Sequence, residues 1–231
     1  MIDIQTDPPK WLIDTPNVVI FGQTGAGKSS LVNMLAGSKL AEVFSESSGG
    51  TSTSRRYEIS SPSMAAGGPE TYAFWDTPGL NQGEFGTVNA HNALKNLLDL
   101  AQVSSIHLVI YCIRAETFTK VIRINYDLFW GIICERRVPI VLVVTGLEQE
   151  VDMDAWWKRN EKMVLQLGIT SDGHACVTTT KGRKGNHEEK YAESAKKVWK
   201  LVMEHCGTRS WRMSPERSAE VRKRLDACIQ K

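Results

Sequence analysis

The fold of this chain is decided by one stretch, residues 17–29, which reads NVVIFGQTGAGKS. Residues 17–21 are a continuous β-prone run of the kind found in strands that are covered on both faces. From Lys28 onward, apolar residues follow helical spacing as far as Gly37, which is well placed to end a helix. The stretch therefore predicts a buried strand, a glycine-rich loop and a helix in direct succession.

The loop between this strand and helix matches the pattern G-x-x-x-x-G-K-[ST] over residues 22–29. A phosphate-binding loop has to lie between a strand and the start of a helix, because backbone N–H groups at a helix N-terminus point toward the anion. We expect the N–H groups of residues 25–30 to hold phosphate oxygens, Lys28 to bridge the β- and γ-phosphates, and the Ser29 hydroxyl to ligate Mg²⁺. The predicted nucleotide-binding residues of the loop are Gln23, Thr24, Gly25, Ala26, Gly27, Lys28, Ser29 and Ser30.

Strands and helices alternate along the rest of the chain. Residues 41–54 are small and polar and predict a long loop, and strands 55–60 and 71–75 predict an antiparallel hairpin. The later elements are predicted as helix 87–102, strand 106–113, helix 119–137, strand 140–145, helix 153–167, strand 174–179 and helix 188–206. This alternation favours an α/β fold with helices on both faces of a mostly parallel sheet and one antiparallel hairpin strand.

A second motif, Asp76-Thr77-Pro78-Gly79, directly follows the second hairpin strand. A carboxylate at the C-terminal end of that strand should lie beside the phosphate loop. We expect Asp76 to hold Mg²⁺ through water and the Gly79 N–H to meet the γ-phosphate. The loop that follows would then sense whether that phosphate is present.

Together these motifs resemble the translation-factor-related class of P-loop GTPases, and within it the septin-like branch that includes the immunity-associated GIMAP GTPases and the chloroplast import GTPases. The resemblance covers about residues 17–206, and the segments VVTGLE, DAWW and GHACVTTTKG are also similar to fungal AIG-type G-domain proteins. It implies a three-layer P-loop NTPase (G-domain) fold that binds GTP or GDP with Mg²⁺.

The resemblance also implies a switch threonine in the long loop, whose hydroxyl ligates Mg²⁺ and whose backbone touches the γ-phosphate. Thr51 is the first choice and Thr53 the second. The predicted catalytic residues are thus Lys28 and Thr51, and the predicted metal ligands are Ser29, Thr51 and Asp76.

The base-recognition motif departs from the family pattern [NT]KxD, because residues 145–148 read TGLE. In the family the lysine stem lies along the guanine, and the aspartate accepts two hydrogen bonds from the base. Glu148 keeps a carboxylate, so we expect guanine to be favoured over adenine; the alternative is a solvated acid and a base pocket without selectivity. The backbone N–H of Thr180 is expected to meet the guanine O6. The predicted base-side residues are Thr145, Gly146, Glu148 and Thr180.

Leu80 stands where small GTPases carry the glutamine that orients the attacking water. Leucine cannot orient water, so we expect slow intrinsic hydrolysis unless another residue or another subunit supplies the missing group. Arg55, Arg56 and Arg114 are candidates for a supplied cation, and a surface or hairpin role is the alternative for each. Because related G domains can pair across their nucleotide sites, a homodimer across the site is a further source.

Two other functions stay open. An ATPase or small-molecule kinase shares the phosphate loop, but a kinase should add an arginine-bearing lid, and no such insertion is recognisable. A nucleotide-stabilised scaffold that binds without turnover is compatible with Leu80.

The amino-acid composition, the cysteines and the N-terminal residues indicate which partners and which cellular location to expect. The 231 residues are 42% hydrophobic and 23% charged with a net charge of +2, which is typical of a globular domain and does not favour nucleic acid as a partner. Five widely spaced cysteines predict buried thiols in a reducing compartment. The first 16 residues lack the basic start and apolar run of a signal peptide, so a cytoplasmic location is expected.

The domain organisation is predicted as an N-terminal arm (1–16), a G domain (17–206) and a C-terminal helical tail (207–231). The tail is charged and offers few apolar anchors, namely Val221, Leu225 and Ile229. We expect a helical appendage that packs weakly on the domain. Membrane or partner contact through its basic residues is the less favoured alternative.

Overall fold

A central sheet positions the predicted phosphate loop. The computed structural model describes residues 15–43, 53–62, 70–80, 88–117 and 120–229. Within these residues, six strands form the sheet: β1 (Asn17–Gly22), β2 (Arg55–Ser60), β3 (Thr71–Asp76), β4 (Leu108–Arg114), β5 (Ile140–Thr145) and β6 (Gly173–Cys176). Their order is β2-β3-β1-β4-β5-β6, with β2 antiparallel to β3 and every other neighbouring pair parallel. The predicted hairpin and mostly parallel sheet are confirmed.

Helices cover both faces of the sheet. They are α1 (Lys28–Ala36), α2 (Val88–Val103), α3 (Lys120–Tyr126), α4 (Asp154–Gln166), α5 (Glu188–His205) and α6 (Pro215–Ile229). Alternate residues of β1 divide between two hydrophobic clusters, because successive side chains of a strand point to opposite faces. Val18 and Ile20 pack with residues of α1 and α5, whereas Val19 and Phe21 pack with residues of α2 and α6. The chain therefore has the predicted three-layer α/β architecture.

The carboxyl ends of the parallel strands meet at one edge of the sheet. Asp76 at the end of β3 is in register with Ile20, and Arg114 at the end of β4 is in register with Thr145. Ligands of open α/β sheets bind outside this edge. The predicted site residues that the structure describes come from the strand ends, the loops and the first turn of α1 on this side.

The helix predicted over 119–137 is shorter and changes type. Regular α-helix ends with α3, and a π-helix follows over Asp127–Ile133. Glu135 and Arg136 then adopt left-handed backbone angles, with φ of 53° and 57°, which stop the helix before residue 137. The apolar spacing could not distinguish the two helix types, because Phe129 and Ile133 are buried in either case.

The tail contacts the core through residues that precede its helix. Trp211 forms an antiparallel bridge with Ile106, whose N–H donates to the Trp211 carbonyl at 2.7 Å. Trp211, Met213 and Val221 are all buried in the cluster on the α2 face. Of these three residues only Val221 is a predicted anchor, and the side chains of the other predicted anchors, Leu225 and Ile229, lie outside the described part of the structure. The bridge pairs residues over 100 positions apart, which periodicity cannot predict. The segment therefore packs more firmly than its sequence indicates.

The structure shows the state of the described cysteine side chains and the apolarity of the described helices. Cys112, Cys134, Cys176 and Cys206 are buried free thiols, as predicted, and the side chain of the fifth cysteine, Cys228, lies outside the described part of the structure. None of the helices in the described part of the chain combines the length and apolarity needed to cross a bilayer.

Candidate functional site

The loop between β1 and α1 follows the backbone path that its glycines permit. Gly25 and Gly27 have φ angles of 77° and 85°, in the left-handed region that glycine adopts without strain. The Ala26 N–H donates to the Gln23 carbonyl at 3.2 Å, and the Leu31 N–H donates to the Gly27 carbonyl at 2.8 Å, which begins α1. The loop thus leads into a helix N-terminus, where the backbone favours an anion.

Lys28 lies inside this loop. Its Nζ donates to the carbonyls of Gly22 and Gln23, at 3.2 and 3.0 Å, and the residue is only 7% exposed. Burial lowers the pKa of Lys28, and the nearby Asp76 carboxylate opposes that shift. A phosphate group bound in the loop would offset the cost of burying the ammonium charge.

Ser29 and Asp76 form the inner wall of the site. The Ser29 hydroxyl donates to Oδ2 of Asp76 at 2.5 Å. Burial raises the pKa of Asp76, while the Ser29 hydrogen bond and the Lys28 charge lower it. Oδ1 of Asp76 is buried without a hydrogen-bond partner in the described part of the chain.

This donor set fits Mg²⁺. Hydroxyl and carboxylate oxygens are hard ligands, and Mg²⁺ in nucleotide sites takes one or two protein oxygens together with phosphate and water. No cluster of three or more His, Cys, Asp or Glu side chains suited to a metal occurs among the described residues. Ser29 and Asp76 would hold the ion, which would neutralise phosphate charge when bound.

The Asp76–Gly79 motif presses against the phosphate loop. A Cβ added to Gly79 would lie 2.3 Å from Oγ1 and 2.6 Å from the backbone nitrogen of Thr24, so only glycine fits. The Leu80 N–H donates to the Gly22 carbonyl at 3.2 Å, and the Thr77 hydroxyl donates to the Ile20 carbonyl at 2.8 Å. Gly79 is therefore held against the phosphate loop beside Thr24.

Leu80 points into the core. Its side chain is 2% exposed and belongs to the hydrophobic cluster on the α2 face. The residue that stands where small GTPases carry the water-orienting glutamine is thus buried as well as apolar.

On the base side, Thr145 is attached to the phosphate loop. Its hydroxyl donates to the Ala26 carbonyl at 2.9 Å. A Cβ on Gly27 would lie 3.3 Å from Oγ1 of Thr179 and 3.5 Å from Cγ2 of Thr145. The predicted base-side residue Thr145 therefore uses its hydroxyl to hold the loop, and both base-side loops contact the phosphate loop.

Glu148 and Thr180 are linked through a residue that sequence reasoning missed. The hydroxyl of the fully buried Thr178 lies 3.3 Å from Oε2 of Glu148, to which it can donate. The Thr180 N–H donates to the same hydroxyl oxygen at 3.3 Å. The strand predicted over 174–179 ends at Cys176, so Thr178 belongs to the loop that carries Thr180.

Lys190 of α5 also holds the Glu148 loop. Its Nζ donates to the carbonyls of Glu148 and Glu150, at 3.1 and 2.5 Å. No sequence signal marked this lysine, because it lies 42 residues from Glu148 in a helix rich in charged residues.

The three candidate arginines occupy different places. Arg55 pairs with Glu42 at 3.1 Å and Arg56 pairs with Glu58 at 2.6 Å, both on the edge strand β2. Arg114 ends β4 and lies beside Gly146 on the base side, where a Cβ on Gly146 would be 3.4 Å from the Arg114 Cγ.

Of the two candidate switch threonines, Thr51 falls outside the described residues, and Thr53 is exposed.

The strand order, phosphate loop and Ser29–Asp76 pair define a P-loop nucleotide-binding domain. Residues 17–146, more than half of the chain, match the family described as 50S ribosome-binding GTPase. The chain belongs to this GTPase family. No match was found among curated protein sequences.

Solved GTPases share the fold. Era in complex with MgGDPNP and a segment of 16S ribosomal RNA has a TM-score of 0.63 at 16% identity, over 87% of this chain and 60% of that one. Aquifex aeolicus Era bound to GDP·AlF4⁻ has a TM-score of 0.61 at 18% identity, over 84% and 57%. Toc33 from Arabidopsis thaliana with GDP and Mg²⁺ has a TM-score of 0.56 at 20% identity, over 83% and 86%. The chain thus spans about three fifths of the Era chains and most of Toc33.

Proposed function

We propose that this protein binds GTP and GDP with Mg²⁺, hydrolyses GTP slowly and acts as a nucleotide-dependent switch or assembly module. The observation that carries the proposal is the Ser29–Asp76 hydrogen bond of 2.5 Å beside the buried Lys28 ammonium. Two oxygen donors and one cation stand together at the helix N-terminus, as a Mg²⁺–phosphate complex requires.

Guanine is the proposed base. The Glu148 carboxylate can accept hydrogen bonds from the N1 and N2 groups of guanine, which adenine lacks in that arrangement. Thr178 and Lys190 hold the carboxylate and the backbone of this residue, so the acceptor is fixed before the base binds. The solved neighbours with Mg²⁺ carry guanine nucleotides, which supports the same ligand here.

Slow turnover is proposed from Leu80. A buried leucine cannot orient an attacking water, so efficient hydrolysis needs a polar group from elsewhere. Pairing of two copies across the nucleotide site is our proposed source. For the similar chloroplast translocon components atToc33 and psToc159, dimerization is important for the GTPase activity. This supports the proposed pairing.

The finer assignments also stay proposals. We assign the chain to the septin-like, AIG-type branch, and the TM-score of 0.56 with Toc33 is compatible with it. We propose a cytoplasmic location, which the buried free thiols support.

One Era structure contains RNA, whereas the balanced charge of this chain favours a protein partner. Contact of the C-terminal tail with a membrane is the less favoured alternative.

Phosphate release measured across protein concentrations tests the proposal. We expect release from GTP but not from ATP, at a rate per molecule that rises between nanomolar and high micromolar protein. An appreciable and constant rate in a protein that light scattering shows to be monomeric would contradict pairing. Binding of GTP without any release would favour the scaffold, and equal release from ATP would favour an ATPase.

A further inference from the structure

Gly146 stands where the family pattern has a lysine, so it cannot supply a side chain to cover the base. Its φ of 81° lies in the left-handed region, which favours glycine. The space beside it is occupied by Arg114. A Cβ on Gly146 would lie 3.4 Å from Cγ, 3.7 Å from Nε and 3.8 Å from Cζ of that arginine.

Arg114 is held in this position by its own strand and turn. It is in register with Thr145, whose hydroxyl donates to the Ala26 carbonyl of the phosphate loop at 2.9 Å. Its Nε donates to Oε2 of Glu116 at 3.2 Å. The side chain keeps 39% exposure, so a ligand can still contact it.

We propose that Arg114 is the residue that stacks on the purine of the bound nucleotide. A guanidinium group is planar and stacks on aromatic faces, whereas a lysine side chain packs on them only through its methylene groups. Stacking is indifferent to the substituents of the purine, so Arg114 supplies affinity while Glu148 reads the guanine edge. The inference rests on the proposed function, because it presupposes a purine nucleotide in this site.

The sheet order separates this role from a contact with the terminal phosphate. Asp76 and Gly79, which serve the phosphate end, follow β3 on one side of β1. Arg114 ends β4 on the other side of β1, next to β5, which leads into the Glu148 loop. Within its own chain the arginine is therefore on the base side of the site.

Competition titrations with Mg²⁺ present test the inference. The ligands are GDP, IDP, ADP and inorganic tripolyphosphate, which has no base. We expect Arg114→Ala to weaken GDP and IDP alike, by about tenfold, and to leave tripolyphosphate unchanged. Arg114→Lys should fall between the two. Arg222→Ala is the matched control, because Arg222 also pairs with one carboxylate, that of Asp99, and its side chain is 29% exposed.

The ratio of GDP to tripolyphosphate affinity is the decisive quantity, because it does not depend on the fraction of protein that is folded. An unchanged ratio in Arg114→Ala would overturn the inference; if the ratio is unchanged because GDP and tripolyphosphate are weakened equally, Arg114 contacts phosphate instead. If the wild-type protein binds no purine nucleotide, the proposed function fails as well. If it binds GDP and only the Arg114 effect is missing, this inference alone fails.

Discussion

The Ser29 hydroxyl and the Asp76 carboxylate meet at 2.5 Å, although 47 positions separate them in the sequence. Ser29 is the second residue of α1, which follows the phosphate loop, and Asp76 ends the parallel strand beside β1. Because Asp76 is 1% exposed and its Oδ1 has no hydrogen-bond partner in the described part of the chain, this pair carries charge that a bound cation would balance.

Asp76→Asn should remove most of the effect of Mg²⁺ on nucleotide binding. We expect the gain in GDP affinity on adding Mg²⁺ to shrink by about tenfold or more, because a neutral amide holds metal-bound water poorly. Titrations with Mg²⁺ and with EDTA measure this gain. Asp99→Asn, at an exposed carboxylate on α2, is the control; an undiminished Mg²⁺ effect in Asp76→Asn would contradict the assignment.

The same variant gives a pH test without ligand. Burial raises the pKa of Asp76 above its usual value of 3.8, so the folded protein binds this proton more tightly than the unfolded chain. Wild-type stability should therefore fall, through this group, as the pH rises from 3.8 through the raised folded pKa. The free energy of unfolding of Asp76→Asn relative to wild type should increase over that window. A difference that is constant with pH would contradict the shift.

Gly79→Ala should separate GTP from GDP binding. The new methyl would lie 2.3 Å from Oγ1 of Thr24 and displace the Asp76–Gly79 motif from the phosphate loop. We expect about tenfold weaker GTP binding, with GDP much less affected, by isothermal titration. Gly207→Ala is the control, because the nearest atom to its methyl is 4.0 Å away. If the Gly79→Ala variant binds GTP and GDP each with the wild-type affinity, Gly79 does not sense the γ-phosphate.

Leu80→Gln should not create an efficient GTPase. Because the side chain is buried among apolar residues, the new amide would be buried without partners and cost about 1–3 kcal/mol of stability. Chemical denaturation and single-turnover phosphate release measure the two effects, with Leu80→Met as the volume-conserving control. A rise in the hydrolysis rate of tenfold or more would mean that position 80 can reach the attacking water.

Lys190→Met should reduce base selectivity. The variant loses both donations to the Glu148 and Glu150 carbonyls but keeps a long apolar stem on α5. We expect the preference for GDP over ADP to fall about threefold or more, because the Glu148 loop is less fixed. Lys200→Met on the same helix, at a side chain 73% exposed, is the control. An unchanged preference would assign Lys190 a purely structural role.

The phosphate half of the site could be predicted because its signals are local. Residues 17–29 carry the strand, loop and helix in one stretch, and the Asp76–Gly79 motif directly follows a strand. The base half and the tail depend on contacts between distant positions. Lys190 approaches Glu148 from α5, and Trp211 bridges to Ile106, so neither residue stands out by spacing or composition. Arg114 stands out in the sequence at the end of a predicted strand, but only the sheet order places that strand between β1 and β5.

The central claim is that this site binds Mg²⁺–guanine nucleotide through the phosphate loop. Isothermal titration of GDP and ADP into wild-type protein and the Lys28→Ala variant, with Mg²⁺, tests it most directly. We predict that wild-type protein binds GDP at least tenfold more tightly than ADP, and that folded Lys28→Ala binds neither measurably, because the cation inside the loop is gone. Unchanged GDP affinity in folded Lys28→Ala, or equal GDP and ADP affinities in wild type, would contradict the claim.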